Sequence, residues 1–222
     1  MRSDADMLGQ IAYAFPFLLP GLWTTLEVSA ITVAISTIVG ALLGVGLVYG
    51  PAPLRWVVRA FSDIVRGIPI LVLLFFVYYG LPITGLNLQP FAAAVLGLIV
   101  FKVAQVIENV RGAIGSIPRG QTDAAKAIGL PFPERLAYVI APQALRRFLP
   151  PWLNGVTDAV KGSALISLLG VGDLMFGIQK VVGRTYEPLA LYGFGAFLYF
   201  VINYALSLAS RALERRFSYI RE

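Results

Sequence analysis

The chain has 222 residues, 58% of them apolar and 14% charged, with a net charge of +6 and a mean hydropathy of +0.77. Soluble domains hold roughly 45–50% apolar residues, so a bilayer is the expected solvent; several spans of about 20 residues fit this length, and one membrane domain over 1–222 is expected. Cysteine and histidine are absent, which excludes disulfides, thiolate or imidazole chemistry and histidine-ligated haem or zinc.

The opening segment carries Asp4 and Asp6 where a secretory signal would be basic, and it lacks a small-residue cleavage site, so it is read as part of the mature chain. Five apolar stretches follow, over 22–49, 68–86, 91–107, 152–178 and 189–209. They predict an all-α membrane protein with five transmembrane helices. In the first span, Gly40, Gly44, Gly46 and Gly50 form two small-xxx-small spacings that let helix backbones approach closely, whether within the chain or across a dimer. At the start of the second, Pro69 can kink the helix, and Arg66 can reach phosphate headgroups or helix ends.

In the third span, Lys102, Gln105 and Asn109 fall on one helical face with Glu108 beside them. Such a stripe must face protein or water. Lys102 meeting a substrate carboxylate is one reading; pairing with a carboxylate of another span is the plainer one. About 40 residues then separate the third and fourth spans, far more than the two to eight that usually join bundled helices. Within them, "PRGQTDAAKAIG" predicts a short helix: Pro118 suits a first turn, alanines fill the middle, and Gly129 can take the left-handed conformation that ends a helix. Pro131 and Pro133 forbid simple continuation.

Residues 134–149 predict a second interfacial or cytoplasmic helix interrupted or kinked at Pro142. On the fourth span Asn154, Asp158 and Lys161 make a second polar stripe, and the i, i+3 spacing permits a direct Asp158–Lys161 pair. Glu27 and Asp173 are placed near the outer face as solvated carboxylates without a role.

Basic residues orient the spans. With the N-terminus outside, the inner segments hold Arg55, Arg59, Arg66, Arg111, Arg119, Lys126, Arg135, Arg146, Arg147, Arg211, Arg215, Arg216 and Arg221; the outer ones hold Arg2, Lys180 and Arg184. Five spans then put the N-terminus in the periplasm and the C-terminus, with the polar segment, in the cytoplasm. That segment can lie among lipid headgroups, but Ala124 and Ala125 are poor lipid anchors. A thin alanine face is better suited to seating in another protein's groove.

The pattern Asp123-Ala124-Ala125-x3-Gly129-x9-Val139-Ile140-Ala141-Pro142 resembles the "EAA" loop, about 118–148 here, of permease subunits of ABC importers. "GLWTTLEVS" (21–29), "VRGIPILV" (65–72), "GQTDAAKAIGL" (120–130), "APQALRRFLP" (141–150) and "LERR" (213–216) extend the resemblance to the polar amino-acid uptake subfamily. It implies the type I importer permease fold in a bacterial inner membrane. Its implied partners are a second permease subunit, identical or paralogous, two ATPases and a periplasmic binding protein that delivers an amino-acid-like substrate. Gly120, Asp123, Ala124, Ala125, Gly129 and Pro142 become the ATPase-coupling residues. Lys102, Gln105, Glu108, Asn109, Asp158, Lys161 and Ser163 become candidates for the substrate pathway. Asp123 stands where the family has Glu, Gln105 where it usually has Tyr, and "KGSAL" (161–165) where it has Lys-Asp-Thr-Ser-Leu; Asp158 is a candidate replacement for the missing aspartate.

No Gly-Lys-Ser/Thr occurs, so ATP is expected to be used by a partner, with no cofactor, metal or catalytic residue in this chain. A stand-alone channel or secondary transporter is the rival reading, and it leaves the polar loop without purpose.

Overall fold

A computed structural model describes residues 4–217. Arg2 and Arg221 lie outside the described residues, as do the side chains of Asp4, Asp6, Glu214 and Arg216. All regular structure among the described residues is helical. In chain order the helices are α1 (Asp4–Tyr49), α2 (Ala52–Gly67), α3 (Ile70–Thr84), α4 (Pro90–Gly115), α5 (Arg119–Ala127), α6 (Phe132–Leu169), α7 (Leu174–Thr185) and α8 (Pro188–Phe217). Three stretches are single helices long and apolar enough to cross a membrane: Ala14–Tyr49, Pro90–Gly115 and Pro188–Leu213. Counting the bent pairs α2 with α3 and α6 with α7 as one span each gives five.

Three expectations need correction. The helix holding the first span begins well before residue 22, running through Pro16 and Pro20. Its earlier turns are not surplus, because Ala14 and Leu18 are buried against Leu174, Ile178 and Leu191. The stretch between the first two spans is a helix of 16 residues, α2, in which Val58, Ser62 and Val65 are buried. Its arginines masked the 3.6-residue spacing of that inner face. Finally, Pro142 does not interrupt the helix expected over 134–149, and that helix is not separate from the fourth span: α6 runs through Pro142, Pro150 and Pro151. A π-type turn over Arg135–Ile140 precedes Pro142. This wider turn relieves the clash a proline ring makes with the carbonyl four residues back, and the Gln143 side-chain amide donates to the Val139 carbonyl at 2.8 Å.

The chain folds into two compact units. The first takes the described parts of Met1–Ala34, Pro69–Ile99 and Val156–Leu206. It holds two apolar clusters, one centred on Val28, Leu74, Leu98 and Ile166, the other on Leu18, Leu174, Ile178 and Leu191. The second takes Ile35–Ile68, Val100–Gly155 and the described part of Ser207–Glu222. Its core joins Val106, Val110 and Ile114 of α4 to Ile140 of α6, with Ala41, Val45 and Val48 of α1 packed against them.

In the second unit the glycine spacings of α1 serve contacts within the chain. A Cβ on Gly40 would lie 2.6 Å from the Val106 Cβ, and one on Gly44 2.7 Å from the Val110 Cβ. Small residues there let α1 and α4 touch along successive turns. Gly46 and Gly50 likewise face Leu54 of α2.

Candidate functional site: a seated polar helix and three ionic clusters

α5 is built as its sequence predicts. Pro118 caps it and its carbonyl accepts from the Gln121 amide at 3.0 Å. At the other end Gly129 has φ +80°. The Gly129 amide donates to the Lys126 carbonyl at 2.9 Å and the Leu130 amide to the Ala125 carbonyl at 3.1 Å. This pair of bonds satisfies carbonyls that a helix end leaves open. α5 packs on the π-type turn 135–140, which is itself anchored to α4 through Leu136 and Ile140. The Gln143 amide also reaches Gln121, at 3.4 Å, and the Arg147 guanidinium donates to the Ser116 carbonyl.

The six coupling residues part company here. Ala125 is buried at 4% exposure, whereas Ala124 is exposed. Asp123 forms an exposed i, i+3 pair with Lys126 at 3.2 Å. Gly120 and Pro142 are exposed, and a Cβ on Gly120 would meet open space. Two large apolar side chains that the motif does not include, Ile128 and Tyr138, are 77% and 75% exposed. Both lie in the polar segment, one beside Gly129 and one in the turn beneath α5, and a search of that segment for apolar residues would have found them.

The pathway candidates fall into three clusters. Lys102 is buried, and its Nζ donates to Gln105 Oε1 at 2.9 Å. A Cβ on Gly155 would sit 3.0 Å from that ammonium, so a glycine leaves room for it. Glu108 accepts two bonds from Arg111, at 2.9 and 2.7 Å, and lies 3.6 Å from Arg66; Asn109 beside it is half-buried. Asp158 pairs with Lys161 at 3.1 Å, as the spacing predicts, and both side chains are more than half exposed. Ser163 is buried and donates to the Val160 carbonyl at 2.8 Å, an ordinary helix back-bond.

Asp173 departs from expectation. It is fully buried rather than solvated, and its Oδ1 accepts from the Phe176 amide at 2.9 Å as the N-cap of α7. Gly21 packs onto its backbone, and Thr25 accepts from the adjoining Leu174 amide at 3.1 Å. The signal was present in the sequence as an Asp immediately before an apolar run.

The family described as the inner membrane component of binding-protein-dependent transport systems matches residues 36–219. The chain belongs to that family. As a membrane-spanning permease of an ABC importer it is a transport subunit, separate from the ATPase. It is 35% identical over 205 residues to the glutamine transport system permease protein GlnP of Escherichia coli (strain K12), covering 91% of this chain and 94% of that one. It is 30% identical over 206 residues to the probable amino-acid ABC transporter permease protein YckA of Bacillus subtilis (strain 168), covering 93% and 91%. Among solved structures, an amino acid ABC transporter with histidines superposes with a TM-score of 0.89 at 30% identity, over 97% of this chain and all of that one. A chain of the MetNI methionine ABC transporter shares the fold, with a TM-score of 0.78 at 23% identity over 91% of this chain and 96% of that one.

Proposed function

We propose that this permease subunit imports polar amino acids or related compounds across a bacterial inner membrane, as one of two such subunits. The N-terminus is periplasmic and α5 is cytoplasmic. A periplasmic binding protein delivers the substrate, and paired ATPases, which alone use ATP, dock on α5. The relatives that transport glutamine and other amino acids support the substrate class. The charge asymmetry of the connecting segments supports the orientation.

The observation that carries this reading is the seat of α5. A helix closed at its end by Gly129, packed on a turn anchored to α4, transmits a push as a rigid body rather than bending. Its outward surface offers Ala124 and, one turn on, Ile128, an apolar face in a polar segment that suits a protein groove, and Tyr138 of the turn beneath α5 is exposed as well. Ala125 faces inward, so its role is to hold α5 in place. In co-purification and proteoliposome uptake of radiolabelled glutamine, Ala124→Trp should lose the ATPase and transport while the chain keeps its melting temperature. Retention of both activities would overturn the docking role.

The polar side chains of α4 and α6 supply the pathway candidates. Asp158 and Lys161 are exposed on a helix that enters the bilayer. In hydrocarbon such a pair needs water or a protein neighbour, and a second permease subunit or an aqueous passage provides it.

A further inference from the structure

The second unit contains an open pocket of about 480 Å³ lined by Arg55 and Arg59 of α2 and by Arg111 and Gly115 of α4. Its apolar wall comes from Leu47 and Val48, in the last turns of α1, and Trp56 also lines it. Two candidate spans, Ala14–Tyr49 and Pro90–Gly115, have their C-terminal ends beside this pocket.

The three arginines differ in their neighbours. Arg111 is bound to Glu108. Among the described residues, no carboxylate lies within ion-pairing distance of Arg55 or Arg59, and both are exposed. At 100° per residue Arg55, Arg59 and Arg66 form one stripe of α2, while Val57, Phe61 and Ile64 fall on another. Val57 and Ile64 are 67% and 62% exposed and Trp56 75%, beside a buried face of Val58, Ser62 and Val65. A helix with an outward apolar side, an arginine stripe and a tryptophan at the boundary has the composition of one lying in the membrane interface.

We propose that this cavity is a binding site for the headgroup of an anionic phospholipid. Two unpaired guanidiniums hold the phosphate by charge-assisted hydrogen bonds, and the acyl chains run along Leu47 and Val48. Guanidinium chemistry alone would also accept free phosphate; the apolar wall of Leu47 and Val48 favours the lipid.

The test uses the full chain in nanodiscs, with Trp23 and Trp152 replaced by Phe so that Trp56 reports alone, and brominated lipids as quenchers. Brominated phosphatidylglycerol should quench Trp56 at about a thirtyfold lower mole fraction than brominated phosphatidylcholine, as expected for two basic groups at a charged surface. Arg55→Gln/Arg59→Gln should bring the two lipids within about twofold of each other. Arg55→Lys/Arg59→Lys, which keeps the charge and guards against misfolding, should retain most of the preference. Lys180→Gln/Arg184→Gln, which removes equal charge elsewhere, should retain all of it. Equal quenching by both lipids in the parent chain would overturn the proposal. So would a preference that survives Arg55→Gln/Arg59→Gln, or that falls equally in the Lys180/Arg184 variant. Millimolar inorganic phosphate abolishing the preference would assign the site to a free anion and overturn the lipid.

Discussion

Gly40 and Gly44 let α1 and α4 approach closely. A methyl at Gly40 would overlap the Val106 side chain, and the α4 carbonyl of Val103 is only 3.1 Å from the same point. Gly40→Ala should therefore lower stability by about 1–3 kcal/mol, the usual range for overpacking, read as a lower melting temperature in detergent with the chain still able to fold. Asp173→Ala should cost about 1 kcal/mol through loss of the α7 cap; Asp173→Asn should recover most of it, since an amide oxygen still accepts from Phe176. Sequence reading could find the glycine spacing but not its partner, because small-xxx-small motifs serve contacts within and between chains alike. It placed Asp173 in solvent for a related reason. Burial of a carboxylate depends on which residues close over it, here Gly21 and Thr25, which stand about 150 positions away.

At the scale of elements, α5 and its seat give the sharpest contrast. Ala124→Trp adds bulk to an exposed position, so it should spare stability and uncouple the ATPase. Ala125→Trp adds it to a buried one, so it should destabilise the second unit by about 1–3 kcal/mol, and circular dichroism melting would separate the two effects. α5 was legible because its boundaries are local chemistry: a proline before, a left-handed glycine after. The continuity of α6 was not. Pro142 reads as an interruption or kink, and what keeps the helix intact there is a widened turn at Arg135–Ile140 that hydrophobic periodicity does not announce. α2 was lost for the opposite reason. Its buried face is three residues wide and its arginines dominate a hydropathy window, so a helix passed for a basic connection.

For the whole molecule, the apolar stretches were enough to read a helical membrane protein, because a bilayer leaves a chain few other ways to satisfy its backbone. Orientation can be checked directly, since the chain has no cysteine to remove. A single cysteine at Gly120 should react with a membrane-impermeant maleimide only in inverted vesicles, and one at Asn87 only in intact spheroplasts; the reverse pattern would place α5 in the periplasm. The rest of the architecture depends on contacts between distant segments. Each compact unit is assembled from three stretches of chain, and no window of sequence reveals which stretches will meet.

The Asp158–Lys161 pair also bears on the fate of a solitary subunit. Alone in lipid, one copy would carry two opposite charges on an uncovered flank, and each would cost on the order of 2.5–3.5 kcal/mol in hydrocarbon if left dry. The surrounding bilayer would have to thin or admit water to reach them. Unpaired copies should therefore be marked for proteolysis; if the second subunit is a paralogue, cells making this chain without it should accumulate far less of it than cells making both.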